Sequence, residues 1–133
     1  MNDQIRVPGD PAKAVRDFLR DELPALVGDV RVALELPEDW TPSSDPAVIV
    51  FDDGGISKAP VYDAPRVRVT VWAAGRTRSR EIAGVCRGML GARSVPGVAR
   101  ISDPSTLLSA LDPQNKGTTT SFHAKAVVRT IAL

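Results

Sequence analysis

Residues 65–90, PRVRVTVWAAGRTRSREIAGVCRGML, decide the fold because their hydrophobic period changes halfway along. In the first half Val67, Val69 and Val71 alternate with polar or bulky residues, which is typical of a half-buried strand. In the second half the apolar residues recur with helical spacing. They are Ile82, Val85, Cys86, Met89 and Leu90. The stretch therefore predicts a strand that leads into a helix packed back onto the sheet. We expect Thr77 or Ser79 to cap the start of this helix and Gly91 to follow its end.

The composition is that of one globular domain, with 133 residues of which 43% are hydrophobic and 25% charged. We expect residues 10–133 to form this domain and residues 1–9 to be a flexible N-terminal arm. The formal net charge of +1 does not favour a dedicated nucleic-acid binder, which would show a marked basic excess. The chain has no apolar run of membrane-spanning length, and residues 1–11 lack the apolar core of a signal peptide, so we expect neither a membrane span nor a signal peptide. Cys86 is the single cysteine, and we expect a buried thiol in a reducing compartment.

The remaining segments predict an α+β fold. Asp10 and Pro11 are typical of a helix start, and Pro24 and Gly28 of its end. The apolar positions of this first helix are Val15, Phe18, Leu19, Leu23 and Leu26. Strands are predicted at residues 30–36, 47–51, 97–102 and 122–131, and loops at residues 37–46 and 52–64. A loop as long as the second is usually functional or disordered.

The predicted order is α-β-β-β-α-β-β, with residues 103–113 open between a short helix and an irregular segment. Consecutive strands without intervening helices favour a mostly antiparallel sheet with two helices packed on one face.

No catalytic, cofactor-binding or metal-binding constellation stands out, so we expect no enzyme and no cofactor. His123 is the only histidine, and its neighbours Lys125 and Arg129 indicate a solvent-facing surface or interface position. Asp52 and Asp53 precede two glycines but lack the alternating acids of an EF-hand, and they are more typical of a strand end that enters a turn. Phosphate-binding glycine motifs are absent.

Two features of the second helix indicate an interface. Arginines cluster at its start, where they form either a solvated face or a contact with an acidic surface. Gly84 and Gly88 lie opposite the apolar stripe, although glycine is unfavourable inside a helix. We therefore hypothesise that this bare face contacts a neighbouring subunit.

Four segments together are similar to one known family. They are VIVFDDGG at residues 48–55, APRVRVTVW at residues 64–72, the helix around residues 82–90, and DPQNKG before SFHAKAVVRTI at residues 112–131. Their order and spacing, over most of residues 10–131, resemble the tail terminator (head-tail joining) proteins of long-tailed siphovirus bacteriophages. Those of phages that infect actinobacteria are the nearest in character.

The resemblance implies a small α+β subunit of a homo-oligomeric ring, typically a hexamer. Such a ring caps the tail tube, stops its polymerisation and offers a docking surface for the head-side connector. DNA passes through the channel without sequence-specific binding, and no membrane is involved. The implied location is the head-tail junction of the virion, with assembly in the host cytoplasm. The resemblance also implies that residues 103–113 are extended.

A closed ring joins two different patches of each subunit. The basic patch of our hypothesis comprises Arg66, Arg68, Arg80 and Arg87. The acidic patch on the neighbour comprises Glu35, Glu38, Asp39, Asp52 and Asp53. The alternatives that remain open are a head-completion or stopper protein of the same joint and a non-viral α+β ligand-binding module. In the latter, the two long loops would form a pocket.

Overall fold

The strand and helix of residues 65–90 lie at the centre of a computed structural model that describes residues 5–58 and 62–133. The elements of the described residues are β1 (Arg6–Pro8), α1 (Pro11–Glu22), α2 (Pro24–Val27), β2 (Arg31–Ala33), β3 (Ala47–Lys58), β4 (Tyr62–Ala73), α3 (Arg76–Ala92), β5 (Arg100–Ser102), β6 (Leu108–Leu111) and β7 (Thr118–Ala132). The α+β class is confirmed. The predicted order and the count of two helices are wrong, because β1, α2 and β6 are added to them.

The seven strands that the structure describes form one mixed sheet with the order β2-β3-β4-β7 and three short strands on the far edge of β7. β2 runs parallel to β3, whereas β3, β4 and β7 pair antiparallel. Along its far edge β7 pairs in turn with β6, β5 and β1. The last of these lies within the N-terminal arm, where Val7 stands opposite Ile131. A three-residue strand carries almost no period of its own, so its partner determines it.

The first helix begins and ends where the local signals predict. The side chain of Asp10 accepts a hydrogen bond from the backbone N–H of Lys13, and Pro11 occupies the first turn. α1 ends at Glu22, α2 begins at Pro24, and Gly28 closes α2 at φ 85°. Leu26 was predicted on the buried face but is 52% exposed, because the break at Pro24 changes the direction of the apolar stripe.

The main core lies between the helices and one face of the sheet, which we call the inner face. Val48, Val50, Val67, Val69, Val71, Phe122 and Ala126 pack there against residues of α1 and α3. Ile82 and Cys86 of α3 are fully buried. The opposite, outer face carries a smaller cluster of Trp40, Ala47 and Ile49, against which Phe51 and Trp72 pack.

The segment predicted as a long loop at residues 52–64 is instead part of a hairpin. β3 continues to Lys58 and β4 begins at Tyr62, with Gly55 opposite Pro65 and Lys58 opposite Tyr62. A β-bulge between Asp52 and Gly55 shifts the register, which removes the alternation from the sequence. Residues 59–61 lie outside the described part.

The other end of the β4–α3 unit also departs from the prediction. The N-cap of α3 is Gly75, which makes no side-chain cap bond, and its C-cap is Arg93. Ser79 is fully buried and bonds Thr120 and the carbonyl of Arg76. Thr77 and Ser79 are therefore not caps, and Gly91 lies inside the helix rather than after it.

Residues 103–113, for which the sequence allows either a short helix or an irregular segment, contain no helix. Of these, residues 108–111 form β6, which pairs with the start of β7. The extended conformation that the resemblance implied is confirmed for these four residues.

Candidate functional site

The outer face of β4 and β7 brings together basic side chains from both strands. Arg66 stands opposite Lys125, and Arg68 opposite His123. They lie on the outer face because the residues between them, such as Val67 and Ala124, belong to the buried side of the sheet. The alternation of residues 65–72 thus predicts correctly that Arg66 and Arg68 share a face.

The β-bulge of β3 forms one wall of this area. The backbone N–H of Gly54 donates to Oδ1 of Asp52 at 2.8 Å, and Gly54 has φ 77°. A Cβ at Gly55 would lie 2.5 Å from the carbonyl oxygen of Ala64, so the close approach of β4 requires glycine. The bulge therefore requires both glycines. Its backbone conformation also sets the positions of Asp52 and Asp53.

Arg68 is engaged within the chain. Its Nε lies 3.1 Å from Oδ2 of Asp53, and its guanidinium carbon lies 4.1 Å from the ring centroid of Phe51. Both ionic partners are about 40% exposed, so the pair adds about 0–1 kcal/mol at most. It nevertheless means that Asp53 and Arg68, which were predicted to meet across subunits, meet inside one.

Arg66 is held differently. Its Nη1 donates to Nδ1 of His123 at 2.9 Å and to the carbonyl oxygen of Asp103 at 3.3 Å. Because a guanidinium is always a donor, Nδ1 of His123 must be the acceptor in this contact. Lys125 has its own acid, with Nζ 3.5 Å from Oδ2 of Asp103. Among the side chains that the structure describes, no carboxylate lies within ion-pair distance of Arg66.

These residues line an open groove of about 530 Å³. Its walls include Asp53, Gly54, Gly55, Arg66, His123 and Lys125, and we call it the basic groove. Two further cations of the outer face, Arg100 and Arg129, are exposed beyond it. The sequence singled out Arg66 but not Lys125 or His123 as its neighbours, because that contact depends on the β4–β7 register.

The predicted basic patch does not form as one cluster. Arg80 and Arg87 belong to α3, which packs on the inner face, whereas Arg66 and Arg68 lie on the outer face. Arg87 donates from Nε to the carbonyl oxygen of Ser105 at 2.8 Å, and Arg80 is exposed.

The two helix glycines also differ from each other. A Cβ at Gly84 would lie 3.9 Å from Leu107 of the same chain, whereas one at Gly88 would meet nothing within 4 Å. Part of the face that was predicted to be bare is therefore covered within the chain. A subunit contact at Gly84 and Gly88 stays a prediction.

The predicted acidic patch is also divided. Asp52 caps the bulge and Asp53 pairs with Arg68. Glu35, Glu38 and Asp39 are exposed in the segment between β2 and β3. No ion pair to these three acids occurs among the described residues.

An exposed apolar patch occupies the end of the outer face at β1 and β7. Val7 stands opposite Ile131, and the N–H of Leu133 donates to the carbonyl of Ile5. The four side chains are between 36% and 85% exposed. The sequence did not predict this patch, since it depends on the pairing of the chain's two ends.

Burial or hydrogen bonding shifts the pKa values of Cys86, Asp112 and Asp17. Burial raises the pKa of the Cys86 thiol to about 12. The Trp72 side chain, which donates to Asp112 at 2.9 Å, lowers the pKa of that carboxyl. Hydrogen bonds from Arg16 and Lys13 lower the pKa of Asp17. None of the three lies in the basic groove.

Metal-binding clusters and membrane-spanning helices are both absent from the described residues. No group of three or more histidine, cysteine or acidic side chains within residues 5–58 and 62–133 could hold a metal ion. No helix in that part of the chain has the length and apolar character needed to cross a membrane.

The comparisons with known proteins leave the family open. No protein-family model matches the chain, and no curated protein shows significant similarity to it.

Proposed function

We propose that this chain is a structural virion protein that assembles into a ring, caps the tail tube of a long-tailed phage and stops its polymerisation. In this proposal the ring also provides the surface on which the head-side connector docks. Two observations support the proposal: the sequence resemblance and an exposed surface that is suited to assembly. It treats the chain as a non-enzymatic building block whose partners are further copies of itself, the tube protein and the connector.

The exposed apolar patch of Ile5, Val7, Ile131 and Leu133 is the observation that carries the proposal. Contiguous exposed aliphatic side chains are uncommon on soluble monomers and usually mark an interaction site. Here Val7 and Ile131 stand directly opposite each other on β1 and β7, and Ile5 and Leu133, one residue beyond these strands, are joined by a backbone hydrogen bond. Because this backbone pairing holds the four side chains next to each other, they form one continuous apolar surface.

The patch also differs from the rest of the chain's apolar surface. Leu26 is exposed alone on α2, and Leu108 and Leu111 of β6 are exposed on opposite faces of their strand. Single exposed leucines of this kind are normal. The four residues of the patch, by contrast, adjoin each other at one end of the outer face. A ring contact joins two different surfaces of each subunit, and the patch is suited to be one of them.

The experiment that tests the proposal is electron microscopy of particles produced by a phage that lacks this chain. Overlong tubes without heads are the expected result, because an uncapped tube continues to grow. Tails of normal length beside full but unjoined heads would instead favour a stopper protein on the head side. Normal infectious virions would refute both.

A second experiment uses the purified chain. We expect wild-type protein to form rings that are visible by negative-stain electron microscopy. Ile131→Asp and Leu133→Asp should weaken ring formation strongly, whereas Leu26→Asp, at a leucine that is 52% exposed and lies away from the patch, should not. Rings that survive the first two substitutions unchanged would mean that the patch is not the interface.

A further inference from the structure

The segment between β2 and β3 is the most acidic part of the described surface. Residues 34–46 contain Glu35, Glu38, Asp39 and Asp45 but no lysine or arginine. All four side chains are exposed, and none forms an ion pair with another described residue. We call this segment the acidic loop.

The acidic loop is held in one conformation by internal contacts. Trp40 is only 5% exposed, and its Nε1 donates to the carbonyl of Asp45 at 2.9 Å. Its ring lies so close to Gly117 that a Cβ there would be 2.5 Å away. The loop therefore presents its carboxylates from a fixed position, which reduces the entropy lost when it binds.

The basic groove offers the complementary chemistry. Arg66 uses only Nη1 for its bonds inside the chain, so Nε and Nη2 make no hydrogen bond among the described residues. Such a free edge of a guanidinium fits a carboxylate in a bidentate manner. Lys125 and the exposed Arg129 add positive charge on the same face.

Glu38 and Asp39 directly precede Trp40, the anchored residue of the acidic loop. Trp40 anchors the loop beside Gly117 and Trp72, and Trp72 stands opposite Thr119. The groove lies at Lys125, six residues further along β7, which is about 20 Å at the rise of an extended strand. A contact of Glu38 and Asp39 with Arg66 is therefore placed between two copies.

We infer that the acidic loop of one copy binds in the basic groove of the next copy, with its carboxylates on Arg66. The contact is heterologous, since it uses two different surfaces of each subunit, and it therefore propagates from copy to copy. This inference rests on the proposed assembly and adds a charged contact between copies to the apolar patch. It also replaces the broader patches that the sequence suggested, because Asp53 and Arg68 neutralise each other within one chain.

Charge reversal of the two surfaces tests the inference. Arg66→Glu changes the groove, and Glu38→Arg combined with Asp39→Arg changes the loop. Each variant alone should assemble at least tenfold more weakly than wild type in sedimentation velocity over a concentration series. Arg76→Glu is the matched control, because Arg76 is exposed on α3 and its loss of charge is the same.

Mixing the two variants gives the decisive result. In an equimolar mixture the intact loop of one variant faces the intact groove of the other, and the two reversed surfaces also complement each other. We expect assembly to return to near the wild-type level in the mixture, and also in the chain that carries all three substitutions. A mixture that remains unassembled would overturn the inference.

The assembly of the wild-type protein, measured beside Arg66→Glu and at two salt concentrations, separates this inference from the proposed function. Raising the salt from 0.1 M to 1 M shortens the screening length from about 10 Å to about 3 Å, so wild-type assembly should weaken. If wild type assembles and Arg66→Glu assembles equally well, this inference fails while the proposed function stands. If wild type stays monomeric at every concentration, both fail.

Discussion

Replacement of Gly55 by alanine should destabilise the protein by about 2–3 kcal/mol. The added Cβ would lie 2.5 Å from the carbonyl oxygen of Ala64 and 2.7 Å from Cα of Pro65. Both atoms belong to the backbone of β4, which cannot rotate away as a side chain could. Relief requires β3 and β4 to separate at the bulge, and overpacking of this kind typically costs about 1–3 kcal/mol.

Two other glycines provide matched controls for the same added methyl group. Gly54 has φ 77° but nothing within 4 Å of its Cβ position, so Gly54→Ala should cost only the left-handed conformation, about 1–2 kcal/mol. Gly88 is exposed on α3 with open space around it. Gly88→Ala should therefore stabilise the protein by about 1 kcal/mol through helix propensity.

Urea unfolding followed by circular dichroism measures all three variants. The expected order of unfolding midpoints is Gly88→Ala highest, then wild type, Gly54→Ala and Gly55→Ala, with similar m values. A Gly55→Ala protein as stable as wild type, or more stable than Gly54→Ala, would refute the close contact of the two strands at the bulge. The wall of the basic groove would then not be formed by a close contact between β3 and β4.

Three further outcomes follow from buried or hydrogen-bonded groups. Thr120→Val should lower the free energy of unfolding by about 1–3 kcal/mol in urea titrations, because two serine hydroxyls lose the fully buried Oγ1 that both bond at 2.8 Å. Cys86 should react with a thiol reagent at pH 8 only as fast as the protein unfolds. Since its pKa is about 12 in the folded state and 9.0 ordinarily, its contribution to stability should be complete below pH 9 and be lost as the pH rises towards 12. Asp112 should keep its bond to Trp72 until the pH falls below the ordinary value of 3.8, because that bond lowers its pKa. A change in tryptophan fluorescence in that acid range, absent in Asp112→Asn, would verify it.

Local signals sufficed for the elements that are long enough to show an apolar period of their own. The period change at residues 73–75 predicted β4 and α3, and Asp10 with Pro11 predicted the start of α1. The alternation of residues 122–131 predicted most of β7 and its buried side, on which Phe122, Ala124, Ala126 and Val128 lie, but not the first four residues of the strand, which begins at Thr118. In each case the apolar pattern follows the period of the element itself.

Long-range pairing explains what the sequence did not predict. β1 and β6 are strands because β7 lies beside them, and their own three or four residues show no clear alternation. Residues 52–58 read as a loop because the bulge at Gly54 and Gly55 breaks the period of two. The ion pair of Arg68 with Asp53 follows from the same hairpin register, and so does the loss of the predicted acidic patch.

The position of β7 in the sheet has a consequence for the newborn polypeptide. β7 separates β4 from β6, β5 and β1, yet it is the last of these strands to leave the ribosome. Until β7 is made, one edge of the β3–β4 hairpin is unpaired. β1 cannot pair until residues 130–132 are made, since Arg6 pairs with Ala132. Contacts of such sequence separation are slow to close. During synthesis the open hairpin edge is therefore a site where a second nascent chain or a chaperone can bind before the sheet is complete.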